Sequence, residues 1–207
     1  KEEFIMGNRR IGRKRLYGVE KQGQKVSLGS GAGVSDAVVS ATQHRQGQEI
    51  ITEIALDLGG SSMAGGTADE KIIGSAASKA GHITRLTTAK YGIITEIRAV
   101  VVEALTAGPS KIDLWLHGSA LDAQIDVTNG SEIGQGISSG TDYSIQDLQT
   151  LGQDVSVSFD AGTAGNTSAT NAYLYMANGT SASNGSGTYT SGKLLIYIHG
   201  FEVPADA

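Results

Sequence analysis

The chain has 207 residues and a net charge of −5, with 29 glycines, two prolines and no cysteine. The lack of cysteine removes disulfides and thiolate metal sites, and no run of about 18 apolar residues is present to cross a membrane as a helix. The charge is unevenly placed: residues 1–25 hold eight cations against three carboxylates, net +5, which leaves −10 on the remainder. A short basic arm ahead of an acidic body suits attachment to a partner better than catalysis.

The arm is densest at Arg9, Arg10, Arg13, Lys14 and Arg15. Gly7, Gly12, Gly18 and Gly23 interrupt it, so it reads as extended or irregular and not as a long helix. The opening residues, Lys1 to Met6, lack the apolar stretch of a secretory leader. Residues 26–48 show no clear period. Gly29 to Gly33 read as a flexible joint, and Val34–Ala41 as a short strand or a helical turn. The expected division is an arm and joint over 1–48 and a β-sandwich domain over 49–207.

The first clear strand is Glu49–Leu58, where Ile50, Thr52, Ile54, Leu56 and Leu58 share one face. Such period-two alternation marks a half-buried strand. His82–Thr88 and Gly92–Leu105 read as the next pair, turning at Lys90 to Gly92. Ala99 to Val102 are apolar on both faces, which predicts cover on two sides or a subunit interface. Gly108 to Ser110 signal a turn. Lys111–His117 then puts Ile112, Leu114 and Leu116 inward, with Asp113, Trp115 and His117 opposite. Ala123–Thr128 is a weaker strand, followed by the tight-turn pair Asn129-Gly130. The apolar spacing of Ile145, Leu148 and Leu151 predicts one short helix over Thr141–Leu151. Val155, Val157 and Phe159 alternate with serines, and Ala172–Met176 and Lys193–Phe201 complete the strands. The Gly/Ser/Thr/Asn-rich stretch Asn178–Gly192 reads as an exposed loop. Eight or nine strands with almost no helix predict an all-β, antiparallel β-sandwich with jelly-roll connections. An Ig-like sandwich is the alternative, without the Cys–Trp–Cys pattern of antibody domains.

Catalytic signatures are weak. Gly136 to Gly140 match G-x-S-x-G around Ser138, with Asp160 and His199 downstream, but without the strand–elbow–helix context that a nucleophile needs. His44, His82, His117 and His199 lack ligand spacing. Asp122, Asp126, Asp160 and Asn166 lack that of a calcium loop. Four N-x-S/T triplets, at Asn129, Asn166, Asn178 and Asn184, follow from composition. No catalytic, cofactor or metal site is therefore expected, and the chain reads as a non-enzyme. The arm could neutralise phosphates, but the acidic body repels a polyanion and Tyr17 alone is near for base stacking. An acidic protein surface is the better partner.

Five stretches carry a family likeness: Thr67 to Gly74, Gly81 to Thr87, Pro109 to Trp115, Ala172 to Ala177 and Gly187 to Ile196. Together they resemble small virion structural proteins of tailed bacteriophages, the capsid decoration (cement) proteins, over about residues 60–200. The resemblance implies a jelly-roll-like sandwich, commonly a homotrimer, clamped on the surface of an icosahedral shell with the major capsid protein as partner. The arm lies outside the likeness. The alternative function is a carbohydrate-binding sandwich on a phage fibre or tail, with Trp115, Tyr173, Tyr175 and Tyr197 stacking on sugar rings.

Overall fold

The structure is a computed structural model that describes residues 23–65, 71–125, 131–132, 148–159, 169, 171–179 and 187–202. In chain order the strands are β1 (Gln24–Lys25), β2 (Val38–Gln46), β3 (Glu49–Asp57), β4 (Ala64–Gly65), β5 (Thr84–Arg85) and β6 (Ile93–Thr106). They continue as β7 (Ile112–His117), β8 (Ser131–Glu132), β9 (Asp154–Ser158), β10 (Tyr173–Asn178), β11 (Gly187–Thr188) and β12 (Ser191–Phe201). One helical turn, α1 (Thr88–Tyr91), precedes β6. The strands form a six-stranded sheet, β1-β2-β3-β12-β6-β9, a four-stranded sheet, β5-β10-β7-β8, and the small pair β11-β4. All pairings are antiparallel.

The two large sheets pack face to face over one core, which makes the fold an all-β sandwich. Ile54 and Leu56 of β3, Leu194, Ile196 and Ile198 of β12, and Ile97, Ala99 and Val101 of β6 point into it from one side. Ile112, Leu114 and Leu116 of β7 and Leu174 and Met176 of β10 meet them from the other. The alternation read in Glu49–Leu58 is realised residue by residue, with every second side chain of β3 buried. Thr52 occupies one of those buried positions because its hydroxyl accepts a bond from Gln43 Nε2 at 3.0 Å. Thr84 is buried on similar terms: it donates to Leu28 O at 2.9 Å and pairs with Tyr91 OH at 2.8 Å. Burial pushes the Tyr91 phenol up to about 12, against the lowering effect of its bond to Thr84.

Several expectations are corrected. β-structure already begins at β1 and β2, upstream of residue 49. The Gly29–Gly33 stretch is packed rather than a free joint. Gly31 N and Gly33 N donate to His82 O and Ala80 O at 2.9 and 2.8 Å, and a Cβ on Gly31 would lie 2.2 Å from Ala80 O. Ser35–Ala37 forms a short 3-10 turn before β2. Only Thr84–Arg85 of the 82–88 run is a strand, because α1 takes up the chain from Thr88. Gly92 ends that turn at φ +67°, where a Cβ would sit 2.0 Å from Phe201 O, so glycine is required there. Of the 123–128 run, residues 123–125 form a turn following a bridge between Ala80 and Asp122. The expected helix fails in its described part. Leu148 exchanges both backbone bonds with Ile112, at 2.9 and 3.0 Å, and 141–147 lie outside the described residues. The 178–192 stretch is not simply an exposed loop: β11 pairs with β4, and Tyr189 is buried with its hydroxyl donating to Pro109 O at 3.0 Å. Asn129-Gly130 lies outside the described residues.

The sheets differ in their outer faces. A second cluster of Ile72, Trp115, Ala123, Tyr175 and Ala177 covers the outer face of β7 and β10. Residues 119–125 are pinned over it, since Tyr175 OH donates to Ser119 O and accepts from Leu121 N, both at 2.8 Å. On the six-stranded sheet, by contrast, Val102 is 41% exposed, so the two-sided cover expected for Ala99–Val102 is absent within the described residues.

Candidate binding surfaces

Arg9, Arg10, Arg13, Lys14 and Arg15, the expected anchor, lie outside the described residues. Their point of attachment is described. Gln24 and Lys25 pair with Gln43 and Thr42, so the residues just after the basic segment form the edge of the six-stranded sheet. A Cβ on Gly23 would lie 2.5 Å from His44 Nε2, so the chain passes close against β2 at that point. Farther along β2 the chain diverges and leaves an open groove of about 500 Å³ between residues 25–30 and 35–41. Lys25 supplies the one charged side chain of its lining.

The outer face of the six-stranded sheet is built by strand register. One row runs Ser40, Ala55, Leu195, Val100, Asp154; the next runs Thr42, Glu53, Tyr197, Arg98, Ser156; a third runs His44, Ile51, His199, Glu96, Ser158. Apolar and charged positions are therefore interleaved on it. Arg98 forks onto Asp154, with Nε 2.7 Å from Oδ1 and the second nitrogen on Oδ2, and its guanidinium stands 5.5 Å from the Tyr197 ring. The hydrogen bond from Arg98 holds the Asp154 carboxyl below its ordinary value, and Asp154 in turn raises Arg98. Lys193 pairs with Glu103 and lies 3.8 Å from Asp57, and the bond to Glu103 raises its ammonium. His199 Nδ1 is 3.6 Å from Glu49. Among the described residues Glu53 and Glu96 have no ion-pair partner. These carboxylates were not singled out in the sequence, although Glu49, Glu53 and Asp57 recur every fourth residue along one strand.

The four aromatics expected to stack on sugars do not form one platform. Trp115 and Tyr175 are buried in the second cluster. Tyr173 is half-buried on the same side, with the His82 ring 5.0 Å away edge-on and the Arg85 guanidinium 5.4 Å from its centroid. Tyr197 lies across the sandwich on the other sheet. Burial of Trp115 and Tyr175 leaves no flat pair for a sugar ring to cover.

The histidines are likewise separated. His44 and His199 flank Ile51 on the six-stranded sheet, while His117 stands across from Tyr173 on the four-stranded one. His82 bonds Gly29 O at 3.1 Å, and desolvation lowers its pKa. Among the described residues no three His, Asp or Glu side chains converge as metal ligands. Ser138 and its flanking glycines, Asp126, Asp160 and Asn166 lie outside the described residues, as do the triplets at Asn129, Asn166 and Asn184. Asn178 is fully buried, so this fold has no room for a glycan on it.

No protein-family model matches the chain, and no curated protein matches it significantly.

Proposed function

We propose that the chain is a non-enzymatic virion structural protein, a decoration (cement) protein that stabilises the outer surface of a phage head as a homotrimer, with residues 9–15 as its grip on the major capsid protein. The observation that carries this reading is the strand order. From β3 onward, the strands lie as β3-β12-β6-β9 in one sheet and β5-β10-β7-β8 in the other. The chain thus crosses between sheets at nearly every connection, which supports a jelly roll of two Greek keys, an architecture shared by viral capsid and lectin domains. That support is by analogy of fold. The five stretches that resemble decoration proteins point in the same direction, and four of them supply residues to β5, β7, β10, β11 or β12. A grip made of a short basic segment is weak alone, and several copies around a symmetry axis multiply it.

The test is binding to heads stripped of the protein, comparing the full chain with one lacking residues 1–22, a cut that leaves β1 intact. The shortened chain should keep its β-rich circular dichroism and lose at least about tenfold in occupancy. Equal occupancy would remove the anchoring role, and failure of the full chain to bind heads would remove the decoration reading itself.

A further inference from the structure

The outer face of the six-stranded sheet carries no second layer among the described residues. It is amphipathic. Ile51, Leu195 and Val100 interrupt a charged field in which Arg98 is forked onto Asp154 and Lys193 sits between Glu103 and Asp57. Among the described residues Glu53 and Glu96 have no ion-pair partner, and Glu49 meets the His199 ring, at 3.6 Å. Exposed Val102 extends the apolar part. The arm has the complementary composition: Arg9, Arg10, Arg13, Lys14 and Arg15 alternate with Ile11 and lead into Leu16-Tyr17.

We propose that this sheet face is a docking site for the chain's own arm, residues 9–17. Its cations would pair with Glu49, Glu53 and Glu96, and Ile11, Leu16 and Tyr17 would cover the apolar positions between them. The geometry permits this within one molecule. The arm is rooted at β1, on the edge of this same sheet. Residues 18–23 span roughly 20 Å when extended, at about 3.3 Å each. β3 lies two strands in from β1 and β6 four, or roughly 10 and 19 Å at about 4.8 Å per strand. The r.m.s. length of such a six-residue tether, about 13 Å, matches the span to β3, which gives an effective concentration in the millimolar range there. β6 is reached by the length of the arm itself, so weak exposed ion pairs suffice within one molecule where they would fail between molecules. An external acidic surface then captures the arm by exchange with this face. The inference stands on the isolated chain and does not depend on the virion reading.

Limited trypsin digestion of the full chain at low salt tests it, with cleavage within residues 9–15 as the readout. Glu53→Lys/Glu96→Lys should raise that cleavage rate about tenfold, and Arg10→Glu/Arg13→Glu in the same chain should slow cleavage at the remaining Arg9, Lys14 and Arg15 again. The neutral pair Glu53→Gln/Glu96→Gln should give a smaller rise and serves if the lysines perturb folding, which circular dichroism melting checks. The wild-type rate should not depend on protein concentration. Equal cleavage in wild type and both face variants would overturn the proposal. Protection that grows with protein concentration, together with a larger mass by light scattering, would assign the face to the arm of a second copy and overturn it as well.

Discussion

β3 and β7 are both written as alternating strands, yet they end in different surroundings. In β3 the off-core residues Glu49, Ile51, Glu53, Ala55 and Asp57 remain partly exposed. In β7 the off-core residues Asp113 and Trp115 are buried as fully as the core-facing leucines. Alternation therefore tells which side chains share a face. It does not tell whether that face is later covered. For the four-stranded sheet the cover comes from residues 119–125 and Ile72, held by the two bonds of the Tyr175 hydroxyl. For the six-stranded sheet the described residues supply none, and the surface keeps charged and apolar positions interleaved.

The sharpest way to break this comparison is to truncate one aromatic on each outer face. Trp115→Ala should lower unfolding free energy by about 3–5 kcal/mol, as for large buried aromatics, whereas Tyr197→Ala on the open face should change it by no more than about 1 kcal/mol. Equal costs in urea denaturation of a chain lacking residues 1–22 would mean that a layer other than the arm covers the six-stranded sheet in solution. Next in size is Gly31→Ala. Its new methyl would meet the Ala80 carbonyl at 2.2 Å, and overpacking against backbone should cost about 1–3 kcal/mol. A neutral result would show that the 29–33 stretch is a free joint after all. The smallest effect is alkaline. The Tyr91 phenol is raised by burial from 10.0 to about 12. Its contribution is complete below the unfolded value and is lost as pH rises from about 10 towards 12, near 1 kcal/mol at a pH of about 11. Tyr91→Phe should flatten that part of the stability profile, and an unchanged profile would place the phenol in water.

Legibility in the sequence followed the range of the forces involved. β3, β6, β7, β9 and β12 were visible because each alternates over several residues and the period itself carries the signal, and β10 as a short continuous apolar run. Of the two-residue strands, β5 lay inside the expected His82–Thr88 run and the others were not visible, and the nine-residue β2 showed only as a short strand or helical turn over Val34–Ala41. β1, β4, β5 and β11 exist because a longer neighbour offers backbone bonds, as Gly187 and Thr188 take those of Gly65 and Ala64. Leu148 reads as helical by spacing and sits in a β-bridge because Ile112 satisfies both of its backbone groups. Glycine misled in one place: Gly29–Gly33 looks loose, but Gly31 is there because Ala80 leaves no room for a Cβ. On the binding side, the cluster of cations over residues 1–25 was legible from charge alone, while the carboxylates of the sheet face were legible singly and not as a group.

What the sequence by itself determined is the class of the fold and its uneven charge: short apolar runs with period two cut by glycine dictate antiparallel sheets, and eight of the sixteen Lys and Arg residues fall ahead of residue 26. Tertiary structure decided which surfaces are open. Trp115 and Tyr175 are buried because Ile72 and residues 119–125 fold over β7 and β10, whereas Glu53 and Glu96 stand on the face built where β12 lies between β3 and β6, with no ion-pair partner among the described residues. Local residue patterns fix the pitch of a strand, but only long-range pairing selects the neighbours that cover it or leave it in water.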